Sequence, residues 1–138
     1  MFPRPRTRHW APAMLGLAAL SSGLAACSSE TAAPSGQGLC WRRVNASDQQ
    51  PQFQLIARDI PNLESCAVQL EGARMLEGRS VTGAYNGYFI FATEEQITSA
   101  KLIDGAQIRV FEAEDRSRIQ DGLRQLVEHQ RAQPSSAD

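Results

Sequence analysis

The chain has 138 residues, with 14 Lys+Arg against 15 Asp+Glu and three cysteines, so its formal charge of −1 gives no electrostatic reason for a nucleic-acid partner. That length accommodates one small domain and excludes a multidomain enzyme. The charge is unevenly spread: Arg4, Arg6 and Arg8 precede an apolar run, and no acid occurs before Glu30. Removing the first 26 residues, which hold three arginines and no acid, leaves 112 residues with 11 basic and 15 acidic groups and a net charge of −4.

Residues 1–26 have the three parts of an export signal: a positive stretch (MFPRPRTRHW), an apolar stretch from Ala11 to Leu20, and a small-residue stretch before Cys27. The apolar part is interrupted by Ser21, Ser22 and Gly23, well short of the roughly 20 apolar residues that a membrane-spanning helix needs. Leu24-Ala25-Ala26-Cys27 resembles the lipobox of bacterial lipoprotein precursors. The resemblance implies cleavage before Cys27 and lipidation of its thiol. The membrane is then a partner through acyl chains such as palmitate, each buried CH₂ contributing about 0.8 kcal/mol. Ser28, rather than an aspartate, implies a periplasm-facing place on the outer membrane within that family. With Cys27 committed to lipid, Cys40 and Cys66 remain as a pair in an oxidising compartment, which predicts a disulfide. Closing a loop of that length stabilises by about 3 kcal/mol on the chain-entropy model.

From Cys27 to Gly38 the chain is small and polar, and predicts a lipidated cysteine followed by a flexible tether about 15–20 Å long. The folded unit is expected at residues 39–131. Leu39–Val44 and Phe53–Arg58 read as two strands flanking a polar loop. Pro61 suits a first helical turn, and Leu63, Cys66, Ala67, Leu70 and Ala73 continue at helical spacing to Gly78. Cys66 lies on that apolar stripe, so a Cys40–Cys66 bond would staple the helix to the first strand. In Ser80–Ala92, Asn86-Gly87 separates two strand-like runs, the preferred pair for a type I′ hairpin, and sets Tyr85 opposite Tyr88 and Thr82 opposite Phe91. Thr93-Glu94-Glu95-Gln96 fits a capping box and predicts a short helical turn. Asp104-Gly105 marks another turn, Ala106–Phe111 a fifth strand, and Glu112–Arg131 a second long helix with Ile119, Leu123, Leu126 and Val127 on one face. Residues 132–138 read as a disordered tail. The expected fold is α+β: a small antiparallel or mixed sheet of about five strands in the order ββαβββα, with both helices on one face.

Catalytic signals are missing. His129 is the single histidine after the leader, and no G-x-S-x-G elbow, phosphate-binding glycine loop or metal-ligand spacing occurs, which predicts a non-enzymatic protein with no catalytic residue, cofactor or metal. Glu94-Glu95 and Glu112, Glu114 and Asp115 begin expected helices, where acids complement the helix dipole. One strand departs from the pattern of a sheet with one wet face, since Tyr88-Phe89-Ile90-Phe91 is apolar on both sides. Trp41, Ile56 and either Tyr88/Ile90 or Phe89/Phe91 are candidates for the second face. The possible binding face comprises Trp41, Arg43, Arg58, Tyr88, Phe89 and Phe91. It would take a protein partner or a second copy of the chain in envelope assembly; the alternative is a small anionic ligand or lipid headgroup held by Trp41, Arg43 and Arg58. Replacing Cys27 with serine is expected to abolish metabolic palmitate labelling and leave the chain unprocessed or soluble; normal labelling of Cys27→Ser would exclude the anchor.

Overall fold

The computed structural model describes residues 32–44 and 51–133; the leader, Cys27, the loop at 45–50 and the tail beyond Gln133 lie outside the described residues. The chain runs β1 (Cys40–Val44), β2 (Gln52–Ala57), α1 (Leu63–Glu77), β3 (Val81–Tyr85), β4 (Tyr88–Ala92), β5 (Ile97–Ala100), β6 (Ile108–Arg109) and α2 (Ala113–Ala132). The strands form one six-stranded antiparallel sheet in the order β2-β1-β3-β4-β5-β6. Helix α1 lies across β1, β3 and β4, and α2 packs on α1, so both helices stand on the same side of the sheet. This is the expected α+β class, with one strand more than the sequence predicts.

The stop and start signals of α1 are local. Asn62 caps its N-terminus by accepting a 2.8 Å hydrogen bond from the Ser65 N–H, and Gly78 ends it at φ 65°. Because Asn62 is the capping residue, Pro61 stands before the helix rather than in its first turn. Cys66, Ala67 and Leu70 are fully buried against the sheet beside Cys40, Val81, Ile90, Ala92 and Ile97. Cys40 and Cys66 form the predicted disulfide, with their Cα atoms 5.4 Å apart. Gly83 of β3 lets the helix come this close: a Cβ there would collide with Leu70 Cδ1 and with the Trp41 carbonyl oxygen. The β3–β4 hairpin has the predicted register, Tyr85 opposite Tyr88 through Val81 opposite Ala92, turning at Asn86 (φ 46°) and Gly87 (φ 81°).

Three expectations are corrected. Thr93–Gln96 is a hairpin turn, not a helical one: the Thr93 hydroxyl accepts from the Gln96 N–H at 3.1 Å, while Gln96 O accepts from the Thr93 N–H at 3.0 Å. The β-branched pair Ile97-Thr98 follows and continues as β5 along β4, adding the sixth strand. The strand expected at 106–111 pairs over only Ile108–Arg109, after which Val110 and Phe111 turn onto the core. The stretch expected as a free tether is attached at its far end, since Pro34 O accepts from the Gly87 N–H and Gly38 O from the Ile60 N–H, both at 3.0 Å.

Helix α2 is fastened by a polar cluster that sequence reading does not single out. Glu71, on the buried side of α1, is fully enclosed; it accepts from Arg74 Nε at 2.9 Å, Arg116 Nη2 at 3.1 Å and Gln120 Nε2 at 2.7 Å. Arg116, 6% exposed, also donates to the Glu94 carbonyl at 2.9 Å and to the Thr93 carbonyl, so it ties α2 to α1 and to the β4–β5 turn together. Burial alone would raise the Glu71 pKa, but the hydrogen bonds from Arg74 and Gln120 and the charges of Arg116 and Arg74 outweigh it and hold the carboxyl below its ordinary range.

A carboxyl whose pKa is lowered on folding contributes stability that is present above its unfolded value, about 4.3, and is lost as pH falls through the lower folded value. Glu71→Ala is expected to cost about 3–5 kcal/mol in urea unfolding at pH 7, because it strands the buried Arg116 charge. Glu71→Gln is expected to reduce the wild-type loss of stability as pH falls below the unfolded carboxyl value; an unaltered acid profile would remove Glu71 from this role.

Candidate functional site

Strand registers decide which side chains share the face away from the helices. Trp41 pairs with Leu55 and Ala84, and Arg43 with Phe53; Thr82 pairs with Phe91, and Ala84 with Phe89. β5 continues the rows with Thr98 opposite Phe91 and Ala100 opposite Phe89. This face therefore carries Trp41, Arg43, Phe53, Leu55, Phe89 and Phe91, with small or hydroxyl side chains between them. Phe89 lies at its centre, fully buried, with the rings of Phe53 and Phe91 each 6.2 Å from its own. Trp41, Arg43, Phe53, Leu55 and Phe91 around it are half-buried. Neither helix crosses this face, since α1 occupies the opposite one and α2 rests on α1. Among the described residues the buried Trp41 indole Nε1 has no hydrogen-bond acceptor; a buried donor left unpaired costs about 1–3 kcal/mol.

The expected binding residues divide between locations. Trp41, Arg43, Phe89 and Phe91 gather on the one face, which selects Phe89/Phe91 over Tyr88/Ile90. Phe89 forms the floor of this face rather than a contact surface. Tyr88 pairs with Tyr85 on the helix side at the hairpin tip and is 44% exposed. Tyr85 donates its hydroxyl to the Ile60 carbonyl at 2.9 Å. Arg58 is exposed beyond the end of β2. Ile56 does not join Trp41. A bulge where Cys40 faces Ala57 and Trp41 faces Leu55 leaves Ile56 as the extra, unpaired residue, 38% exposed.

Phe53 and Leu55 take the place expected for Ile56. Their alternation with Gln54 was visible in the sequence, but the bulge that fixes their side was not. Glu94 and Glu95, expected at a helix start, lie exposed in the β4–β5 turn. Glu114 and Asp115 do occupy the first turn of α2. His129 is exposed near the end of that helix. Among the described residues, no group of three or more His, Cys, Asp or Glu side chains comes together to hold a metal, and no helix is long and apolar enough to cross a membrane.

The arrangement is suited to recognition by contact. This set of aromatic and aliphatic groups beside one guanidinium has the composition of an interface core, rich in Trp, Phe and Arg and poor in acids. The chain matches no protein-family model, and neither the curated proteins nor the solved structures compared with it give a match.

Proposed function

We propose that this protein is a lipid-anchored envelope protein, held at Cys27 on the periplasmic side of the outer membrane, whose domain binds another protein through the helix-free face of its sheet and carries out no catalysis. The observation that carries the reading is the aromatic face itself: Trp41, Phe53, Leu55 and Phe91 around a buried Phe89, on the side of the sheet opposite both helices. A sheet with one face against helices is expected to show polar groups on the other. Here the groups around the buried Phe89 are half-buried aromatic and aliphatic side chains, which supports reading the face as a contact surface. The lipobox resemblance supplies the location. Tethering to the membrane raises the effective concentration of the domain toward envelope partners without any added contact. A second copy of the chain is the other occupant compatible with the same surface.

A photocrosslinking side chain at Thr82, on this face, is expected to give a discrete adduct in native membranes, whereas one at Tyr88, on the helix side, gives none. Phe91→Asp should reduce the Thr82 adduct at least tenfold while the melting temperature shows the domain intact. An adduct of twice the chain mass identifies self-association. Equal yields from both positions, or none from Thr82, would overturn the reading.

A further inference from the structure

A second feature of the surface is independent of the anchor and meets the edge of the aromatic face at Arg43 and Thr82. Where β1 ends and β3 begins, Arg42, Arg43, Arg79, Ser80 and Thr82 line a groove of about 350 Å³, a size typical of small-ligand sites. The topology explains why the charges meet there. Arg42 and Arg43 are consecutive on β1 and so alternate between its faces, and both line the groove at the strand end. Arg79 arrives from the turn after α1.

Two of the three guanidiniums share one carboxylate. Glu77 pairs with Arg42 and, at 3.0 Å, with Arg79; Arg43 forms no ion pair among the described residues. Among the described residues, Arg42 Nε is buried without an acceptor and Glu77 is the one carboxylate paired with these arginines. Residues 39–131 carry 11 basic and 13 acidic groups, a net of −2, so this grouping of arginines is not a consequence of a basic composition. Guanidinium forks match tetrahedral oxyanions by paired, charge-assisted hydrogen bonds, and the Ser80 and Thr82 hydroxyls add neutral donors.

We infer that the groove formed by Arg42, Arg43, Arg79, Ser80 and Thr82 binds a phosphate group. The phosphate belongs either to a small soluble ester or to a phospholipid headgroup; the recognition chemistry is the same. The site differs from the Trp41, Arg43 and Arg58 grouping expected from sequence, because Arg58 lies beyond the end of β2 while Arg79 stands in the groove.

The test uses the ¹⁵N-labelled full chain in phosphatidylcholine nanodiscs, observing the arginine Nε–Hε signals during titration with inorganic phosphate at constant ionic strength. The Arg43 and Arg79 signals are expected to shift saturably. Arg43→Gln and Arg79→Gln should each weaken the response at least tenfold with unchanged melting temperature, and Arg43→Lys should weaken it less. In a second arm, nanodiscs containing one-fifth phosphatidylglycerol replace added phosphate: the same shifts there assign the site to headgroups, and shifts with soluble phosphate alone assign it to a free ester. The inference is overturned if neither arm moves Arg43 and Arg79, if chloride reproduces the shifts, or if the glutamine variants respond as the parent does.

Discussion

The close approach of α1 to the sheet at Gly83 is the constraint on which the rest of the structure depends. Leu70 occupies the space that a side chain at Gly83 would need, and one helical turn away Cys66 is bonded to Cys40 on the neighbouring strand. The contact is thus fixed twice, by the lack of a Cβ and by a covalent link worth about 3 kcal/mol in a loop of this length. It determines which face of β1, β3 and β4 is covered. Once Cys40, Gly83 and Ile90 look toward α1, Trp41, Ala84 and Phe89 must look away, because strand side chains alternate. The aromatic face is a direct consequence of where the helix was placed.

The second helix is held by different physics. α2 is polar over most of its surface, with only Arg116 fully withdrawn from solvent, and its Leu126 remains 61% exposed. A cluster of Glu71, Arg74, Arg116 and Gln120 adds to a half-buried apolar row of Ile119, Leu123 and Val127, of which Leu123 lies beside Gly72 of α1. Buried ion pairs add little net stability compared with well-packed apolar groups, but breaking one by removing a single partner is costly. Arg116 also satisfies two carbonyls of the β4–β5 turn, so the cluster fixes the position of α2 against both α1 and the sheet end.

Much of this organisation was legible in the sequence because its signals are local or arithmetical. Asn86-Gly87 requires a tight turn and so sets the register of β3 and β4; Gly78 ends α1; the two cysteines left once Cys27 is set aside for the expected anchor predict a bond. What was not legible depends on contacts between distant residues. The Thr93–Gln96 pattern serves a helix cap and a hairpin turn equally well, and the strand partner waiting along β4 decides between them. The bulge opposite Cys40–Trp41 exchanges Leu55 for Ile56 on the aromatic face, and no residue type marks it. Glu71 had a visible cue, because it falls eight residues after Leu63 on the same helical stripe as Cys66, Ala67 and Leu70. Its partners, Arg116 and Gln120, are more than forty positions away. The phosphate groove is missed for the same reason, since Arg79 is brought to Arg42 and Arg43 only by the β1–β3 pairing.

One sheet face packs on α1 and carries the disulfide; the other bears Trp41, Phe53 and Phe91 around the buried Phe89, and it is this second face that we propose meets a partner. Oxidative footprinting in native membranes, compared with the purified chain, tests that division most directly. The account predicts that Trp41, Phe53 and Phe91 are labelled in the purified protein and protected in membranes, while Tyr88 on the helix side is labelled equally in both. Protection of Tyr88 with Trp41 and Phe91 unchanged would contradict it.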